Sequence, residues 1–201
     1  LTVNAQIEHV STRLVAPPLR SGRLELGGAE IASTPLHEHR TAVAVIPQEP
    51  VLFSGTVRSN LDPLGHVEDA AIWSVLQQTQ MAHAVRSLDM PIAEGGSNLS
   101  AGQRQLLCIA RAMLARARLV IMDEATSSVD AETDARIQRA VRAAFGDATV
   151  ITIAHRLNSV LDADKIMVLD DGELVEFGPP RELMARPSGR FRAMVHASSR
   201  L

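Results

Sequence analysis

The chain has 201 residues, of which 46% are hydrophobic and 21% charged, a balance typical of a folded globular protein of about one domain. Its formal net charge of −3 excludes the strongly basic composition of nucleic-acid-binding proteins, so no nucleic-acid partner is expected. A single cysteine excludes an internal disulfide framework, and no apolar run approaches the roughly 18 residues of a membrane span. Because the chain begins at Leu1 rather than methionine, we expect it to be a piece of a longer protein.

The first twenty residues differ in pattern from the rest of the chain. Apolar and polar residues alternate from Leu1 to Ile7, which predicts a strand, and Pro17-Pro18 would end any short helix that follows. From Ser21 onwards the pattern becomes regular. We therefore predict a divergent segment or linker remnant at 1–20 and one domain at 21–201.

The regular part alternates between strand and helix patterns. Short apolar runs predict strands at 41–46, 119–122, 150–153, 166–169 and 174–177. Asp171-Gly172 between the last two runs predicts a hairpin-type turn. Apolar residues recur at helical spacing at 67–88 and 137–144. This alternation indicates an α/β fold with a mostly parallel sheet, and we predict a helical insertion at approximately 60–110.

The sequence Leu-Ser-Ala-Gly-Gln at 99–103 has the features of a helix N-terminus that binds an anion. Ser100 and Gln103 have the spacing of a capping box, in which each side chain bonds to the backbone amide of the other residue. Gly102 allows close approach of a ligand, and the free N–H groups of a first helical turn favour phosphate. Capping boxes are common in helices that bind nothing, so this motif alone does not establish a site.

A second candidate site lies where an apolar run ends in two acids, Asp123 and Glu124. An aspartate at a strand end suits a Mg²⁺ ligand, usually through water, and the adjacent glutamate suits a general base for an attacking water. Acids in this position can equally cap the following helix. The residues alone leave both interpretations open.

Taken in order, these motifs resemble the nucleotide-binding domain of an ATP-binding-cassette (ABC) exporter. The resemblance rests on Leu-Ser-Ala-Gly-Gln at 99–103, Asp-Glu-Ala-Thr-Ser-Ser-Val-Asp at 123–130, Thr-Ile-Ala-His-Arg-Leu at 152–157, and a Q-loop from Ile46 to Phe53. The continuation from Ser54 to Pro63, with Glu124 intact, resembles the second cassette of the multidrug-resistance-associated (C) subfamily. The match runs from about Ser21 to Val195.

The resemblance implies a P-loop NTPase-like ABC ATPase core with a mostly parallel sheet and a helical subdomain. It implies ATP and Mg²⁺ as cofactors, and ATP hydrolysis coupled to transmembrane transport as the function. The implied partners are a second nucleotide-binding domain in a head-to-tail dimer and the transmembrane domains of the transporter. The implied location is the cytoplasmic face of a membrane.

The same resemblance assigns roles to single residues. Asp123 would hold Mg²⁺, Glu124 would be the general base, and His155 would contact the γ-phosphate. Gln48 would lie near Mg²⁺ and the attacking water, and would couple the site to the transmembrane partner. Asp130 would belong to a loop that crosses the dimer interface.

The signature residues would serve the facing domain. The resemblance implies that the γ-phosphate of ATP held by the second cassette is bound by Ser100, Ala101, Gly102 and Gln103.

One family motif is absent from this chain. A P-loop needs Gly-x-x-x-x-Gly-Lys-Ser/Thr, whose backbone N–H groups cradle phosphates and whose lysine reaches the outer ones, yet the only lysine is Lys165. The P-loop strand and helix are thus missing or altered. Either a linker around 10–14 joins directly to the region beyond the P-loop, which we favour, or residues 1–20 are an altered remnant of it.

This departure leaves two functions open and puts the catalytic competence of the chain in doubt. The chain is either the ATP-hydrolysing domain of an exporter, incomplete here, or a non-catalytic cassette that donates its signature motif to a partner's ATP site. A soluble cassette of DNA repair or translation is disfavoured, because the chain has neither a long coiled-coil insertion nor a basic tail. A metal site at His37 and His39 is disfavoured as well, since no third ligand accompanies the pair.

Overall fold

The computed structural model describes residues 22, 25–30, 33, 35, 42–123, 131–154 and 160–198, with the backbone alone for 131–136 and 198. The predicted strand and helix within 1–20, together with His37 and His39, lie outside the described residues. The chain divides into two compact units, Ser33–Ile153 and a second formed by Leu1–Ala32 with Ala154–Leu201.

In chain order, the described helices and strands are β1 (Glu25–Leu26), β2 (Ala29–Glu30), β3 (Val43–Ile46), β4 (Gly55–Thr56), α1 (Val57–Leu61), α2 (Asp69–Gln78), β5 (Pro91–Ile92), α3 (Ala101–Leu114), β6 (Leu119–Asp123), α4 (Ala131–Ala144), β7 (Thr149–Ile153), β8 (Ile166–Asp170), β9 (Glu173–Gly178), α5 (Pro180–Ala185) and α6 (Arg190–Ser198). None of the described helices is both long enough and apolar enough to cross a membrane.

The larger unit contains a three-stranded parallel sheet, with β6 between β3 and β7, and a short antiparallel pair, β4–β5. The run from Leu119 to Met122 in β6 is buried throughout, as expected for a strand with parallel neighbours on both sides. The three strands predicted in this unit are thereby confirmed, each within two residues of its predicted bounds. Parallel strands combined with helices also confirm the α/β class.

Helix α3 is the central helix of the larger unit. It contacts α1, α2, α4 and β3, and its side chains from Gln105 to Ala110 are all buried. Seven of its fourteen residues are alanine, leucine or isoleucine, so the helix presents a close-packed apolar surface to its neighbours. This packing fixes the direction of α3 and hence the position of its N-terminus.

The helix predicted at 67–88 is too long, because α2 ends at Gln78. The hydroxyl of Thr79 donates to the Val75 carbonyl at 2.9 Å, which satisfies a carbonyl of the last turn. Gln80 then takes a φ of +57°, a left-handed conformation that stops a helix. Met81 and the apolar residues that follow it are buried in turns rather than on a helix face.

Asp62 organises the turn that follows α1. Its side chain accepts the Val67 backbone N–H at 2.8 Å and is buried. This hydrogen bond, reinforced by the backbone amides of His66 and Gly65, lowers the pKa of Asp62 below its usual value of 3.8. The ionised carboxylate therefore stabilises the folded chain.

We expect Asp62→Asn to lower the free energy of unfolding at neutral pH. A carboxyl group whose pKa is lower in the folded than in the unfolded chain stabilises the fold above its unfolded pKa. That stabilisation is lost as the pH falls through the folded pKa, so the two chains should become equally stable in acid. Denaturant unfolding at neutral and acidic pH measures the difference.

Asp69→Asn is the matched control, since Asp69 forms an exposed ion pair with Arg58 at 2.5 Å. Such pairs contribute about 0–1 kcal/mol. A loss for Asp62→Asn that is the same at both pH values would contradict a charge-dependent role.

The smaller unit contains the antiparallel hairpin β8–β9, as predicted, with Asp171 and Gly172 in its turn at positive φ. Its inner face packs with α5 and α6 around Ile166, Val168, Leu183 and Phe191. The buried carboxylate of Glu176 in β9 accepts the Phe191 backbone N–H at 2.8 Å, and so caps the first turn of α6.

Candidate functional site

The N-terminus of α3 forms the capping box that the sequence predicts. The Ser100 hydroxyl accepts the Gln103 backbone N–H at 3.2 Å, and the Gln103 side-chain oxygen accepts the Ser100 N–H at 2.9 Å. Ser100 is exposed, whereas Gly102 is buried. The helix dipole and the unpaired N–H groups of the first turn give this exposed end a partial positive charge. The end is thus suited to an anion that approaches from outside the unit.

The loop before α3 is held in place by polar side chains that the sequence did not single out. The Asn98 side chain accepts the Ala93 N–H at 3.0 Å and donates to the Pro91 carbonyl at 2.9 Å. Arg104 donates to the Leu99 carbonyl at 2.9 Å. Gly96 has a φ of +69°, which disfavours a residue with a side chain, and a Cβ there would lie 2.8 Å from the Leu52 side chain. These contacts fix the approach to Ser100.

The second set of predicted residues follows the carboxyl ends of the parallel strands. Asp123 is the last residue of β6 and is half-buried. The register pairs Ile46 with Met122, so the segment after β3 and Asp123 leave the sheet at the same edge. Gln48 lies two residues beyond β3 and is exposed. The structure therefore brings the predicted glutamine and aspartate to one edge of the sheet.

Several predicted residues lie outside the described residues. Glu124 directly follows β6 in sequence, and His155 comes two residues after the end of β7. Asp130 immediately precedes α4. Their roles remain predictions.

The oxygen donors at this edge fit Mg²⁺ in chemical type, because this ion prefers carboxylate and amide oxygens together with water. Asp123 offers a carboxylate and Gln48 an amide oxygen. Among the described residues there is no cluster of three histidine, cysteine or acidic side chains that would form an all-protein metal site. A magnesium ion that keeps most of its water and phosphate ligands needs no such cluster.

The segment from Pro47 to Phe53 is attached to α3 by hydrogen bonds to its carbonyl groups. Gln105 donates to the Pro47 carbonyl at 3.4 Å, and Arg111 donates to the Val51 carbonyl at 3.1 Å. The Cys108 thiol lies 3.8 Å from the same Val51 oxygen. Burial raises the pKa of this thiol, which keeps it protonated and able to donate.

An apolar groove runs beside this segment. It encloses about 180 Å³ and is lined by Ala44, Val45, Pro47, Val51, Cys108, Arg111, Ala112 and Ala115. Val51 and the nearby Phe53 are half exposed or more, at 50% and 66%. The segment from Pro47 to Phe53 thus presents the polar, exposed Gln48 and lies beside an apolar groove.

Comparisons with known proteins identify the family to which the chain is similar. A family model described as ABC transporter matches residues 9–127. The chain is 46% identical over 190 residues to multidrug resistance protein fer6 of Mycosarcoma maydis, covering 94% of this chain and 14% of that protein. It is 46% identical over 178 residues to ATP-binding cassette sub-family C member 2 of Rattus norvegicus, covering 87% and 12%.

A further relative, ATP-binding cassette sub-family C member 4 of Mus musculus, is 49% identical over 164 residues, covering 80% of this chain and 12% of that protein. The chain therefore spans about an eighth of the length of the curated relatives it matches. These relatives confirm the predicted resemblance to the C subfamily, whereas the assignment to its second cassette remains a prediction. The chain belongs to the ABC transporter family.

Proposed function

We propose that this chain is part of the ATP-hydrolysing domain of an ABC exporter, which couples ATP hydrolysis to transport of a substrate across a membrane. The observation that supports it best is the reciprocal capping box at the exposed N-terminus of α3. A helix end of this kind binds phosphate through backbone N–H groups and the helix dipole. The relatives are named as members of ATP-binding cassette sub-family C, which fits this role.

In this proposal, residues at the carboxyl ends of the parallel strands bind the metal and activate the attacking water. Asp123 and Gln48 supply oxygens to Mg²⁺, and Glu124 accepts a proton from the water as a general base. His155 contacts the γ-phosphate. Bound ATP supplies the phosphoryl group that is transferred to water.

The N-terminus of α3 serves an ATP molecule held by a facing cassette. Ser100 is exposed and Ala101 and Gln103 are partly exposed, so this helix end is accessible to a ligand that a second domain presents. A head-to-tail pair then has two composite sites, each with one signature helix end. Asp130 belongs to the segment that crosses between the two cassettes.

The groove beside Gln48 is the proposed contact with a transmembrane partner. Its lining is apolar, and Val51 and Phe53 add exposed apolar surface to it. A short helix with an apolar face fits a groove of this kind. The chain would then be attached to the cytoplasmic face of a membrane through its partner.

A second candidate function is that of a non-catalytic cassette. The observation that favours it is that residues 1–201 contain no P-loop sequence, since Lys165 is their only lysine. Lys165 lies on the smaller unit, with its ammonium group 5.4 Å from the centre of the Phe177 ring. Such a cassette would lend Ser100–Gln103 to the facing domain's ATP without turning over ATP of its own.

The substitution Glu124→Gln distinguishes the two functions. In an assembled pair of this chain with a P-loop-containing cassette, we expect steady-state ATP hydrolysis to fall by the share that this chain's own site contributes. A glutamine keeps the size of the side chain but cannot accept the proton. An unchanged rate would overturn the hydrolytic role and leave the signature-donating role.

A further inference from the structure

Three side chains on one face of α3 donate to the segment that carries Gln48. Gln105, Cys108 and Arg111 are spaced by three residues, so they lie along one side of the helix. The first reaches the Pro47 carbonyl, and the other two reach the Val51 carbonyl. The segment is therefore fixed at both ends of a stretch of five residues.

Arg111 also connects this segment to α1. Its Nε donates to the Asn60 carbonyl at 2.6 Å, and its Nη2 donates to the Asn60 side-chain oxygen at 3.3 Å. Asn60, which is only 2% exposed, in turn accepts the Phe53 N–H and donates to the Phe53 carbonyl, both at 2.8 Å. One guanidinium group thus joins three stretches of chain.

Apart from Leu52, which is buried in the core, the backbone of the segment depends on such contacts. Residues 47–53 form no helix or strand. Pro47 and Pro50 have no N–H to donate. Hydrogen bonds to carbonyl groups therefore replace those of a strand ladder, and their donors all come from α3 and α1.

We propose that Gln105, Cys108 and Arg111 are positioning residues that fix Gln48 relative to the signature end of α3. Because α3 runs from the capping box at Ser100 past all three donors, Gln48 and Ser100 are held by one rigid helix. A displacement of the segment around Gln48 is then transmitted to the helix end that binds the facing ATP. The proposal concerns this set of hydrogen bonds and rests on the proposed function only for its consequence in catalysis.

The first test measures geometry in the purified chain and needs no nucleotide. Spin labels at Glu49→Cys and Ser97→Cys, two exposed positions, report the distance between the Gln48 segment and the α3 end by double electron–electron resonance. The wild-type Cys108 is 5% exposed and should remain unlabelled under brief reaction. We expect a narrow distance distribution that broadens in Arg111→Gln and is partly restored in Arg111→Lys.

Ile72→Val is the matched control for stability. Ile72 is fully buried in α2 and makes none of these hydrogen bonds, so its truncation lowers the melting temperature without freeing the segment. If Arg111→Gln fails to fold, Gln105→Leu removes the Pro47 bond alone and should broaden the same distribution. Equal broadening in Ile72→Val, or a narrow distribution in both α3 variants, would overturn the proposal.

The second test measures catalysis in the assembled cassette pair. We expect Arg111→Gln to lower kcat about tenfold with little change in the KM for ATP, the equivalent of one lost hydrogen bond to a charged group. If Arg111 contributed only to stability, its substitution would lower the amount of folded, active protein, as Ile72→Val does, and not the kcat of the folded protein. A raised KM with an unchanged kcat would contradict positioning. A pair without activity leaves the distance measurement as the deciding result.

Discussion

Ser100→Arg is expected to lower ATP hydrolysis by the assembled cassette pair about a hundredfold to a thousandfold. In the proposed function the Ser100 hydroxyl is a donor to the facing phosphate. Removing a preorganised donor from a site where negative charge develops lowers turnover by this amount. The arginine also eliminates the hydroxyl that accepts the Gln103 N–H, which costs about 1 kcal/mol of helix stability. Its long side chain then occupies the exposed helix end that the facing phosphate must reach. The measurement is steady-state turnover at saturating ATP.

Ser97→Arg is the matched control, because Ser97 is an exposed serine in the same loop that takes no part in the capping box. It should keep most of the turnover. Ser100→Thr, which preserves the cap, should do so as well. Equal losses in Ser97→Arg and Ser100→Arg would mean that any bulk in this loop disturbs the pair. Full turnover in Ser100→Arg would remove α3 from the composite site.

The features that sequence reasoning predicted correctly are those set by local pattern. The buried run from Leu119 to Met122 specifies a strand with both faces covered, and its parallel pairing follows from alternation with helices. The capping box joins residues three apart, so its partners can be identified from spacing alone. The hairpin turn at Asp171-Gly172 is likewise a property of two residues.

The features that sequence reasoning missed depend on contacts between distant residues. Gln105 and Pro47 are 58 positions apart, and Arg111 and Val51 are 60 apart, so no periodicity links them. The only signal was the recurrence of Gln105, Cys108 and Arg111 on one side of a helix whose other residues from Leu106 to Leu114 are apolar. The same side of α3 also packs against its neighbours, so the pattern was equally consistent with a purely structural role.

The length of α2 shows the opposite error. Apolar residues at helical spacing continued beyond Gln78, but the Thr79 hydroxyl and the left-handed Gln80 ended the helix. Burial of Met81 in a turn needs no helix, so apolar spacing overstated the regular structure. The number of contacts that support the candidate site was underestimated, and the length of α2 was overestimated. Both errors arose because tertiary contacts determined these features.

The purified 201-residue chain is expected to bind MgATP at least about a thousandfold more weakly than an ABC cassette that contains a P-loop. Each charge-assisted hydrogen bond to phosphate contributes about 1.5–3 kcal/mol. Loss of two or three of them together with the P-loop lysine removes on the order of 5 kcal/mol, which corresponds to more than about a thousandfold in affinity. In the proposed function Asp123 and Gln48 act on the metal rather than on the phosphates, so they should offset little of this loss. Isothermal titration calorimetry of both proteins under the same conditions measures the difference.

Lys165→Met tests whether the single lysine substitutes for the missing one. Lys165 is exposed and lies beside the Phe177 ring on β9, so its replacement should leave the weak affinity unchanged. A fall in affinity in this variant would show that Lys165 contacts phosphate. Micromolar binding in both the wild-type chain and Lys165→Met would show that other residues of the chain bind the phosphates. Weak binding in both the wild-type chain and Lys165→Met, together with a loss of turnover in the Ser100→Arg pair, would place the principal ATP site of the assembly on the facing cassette. Helix α3 of this chain would then complete that site.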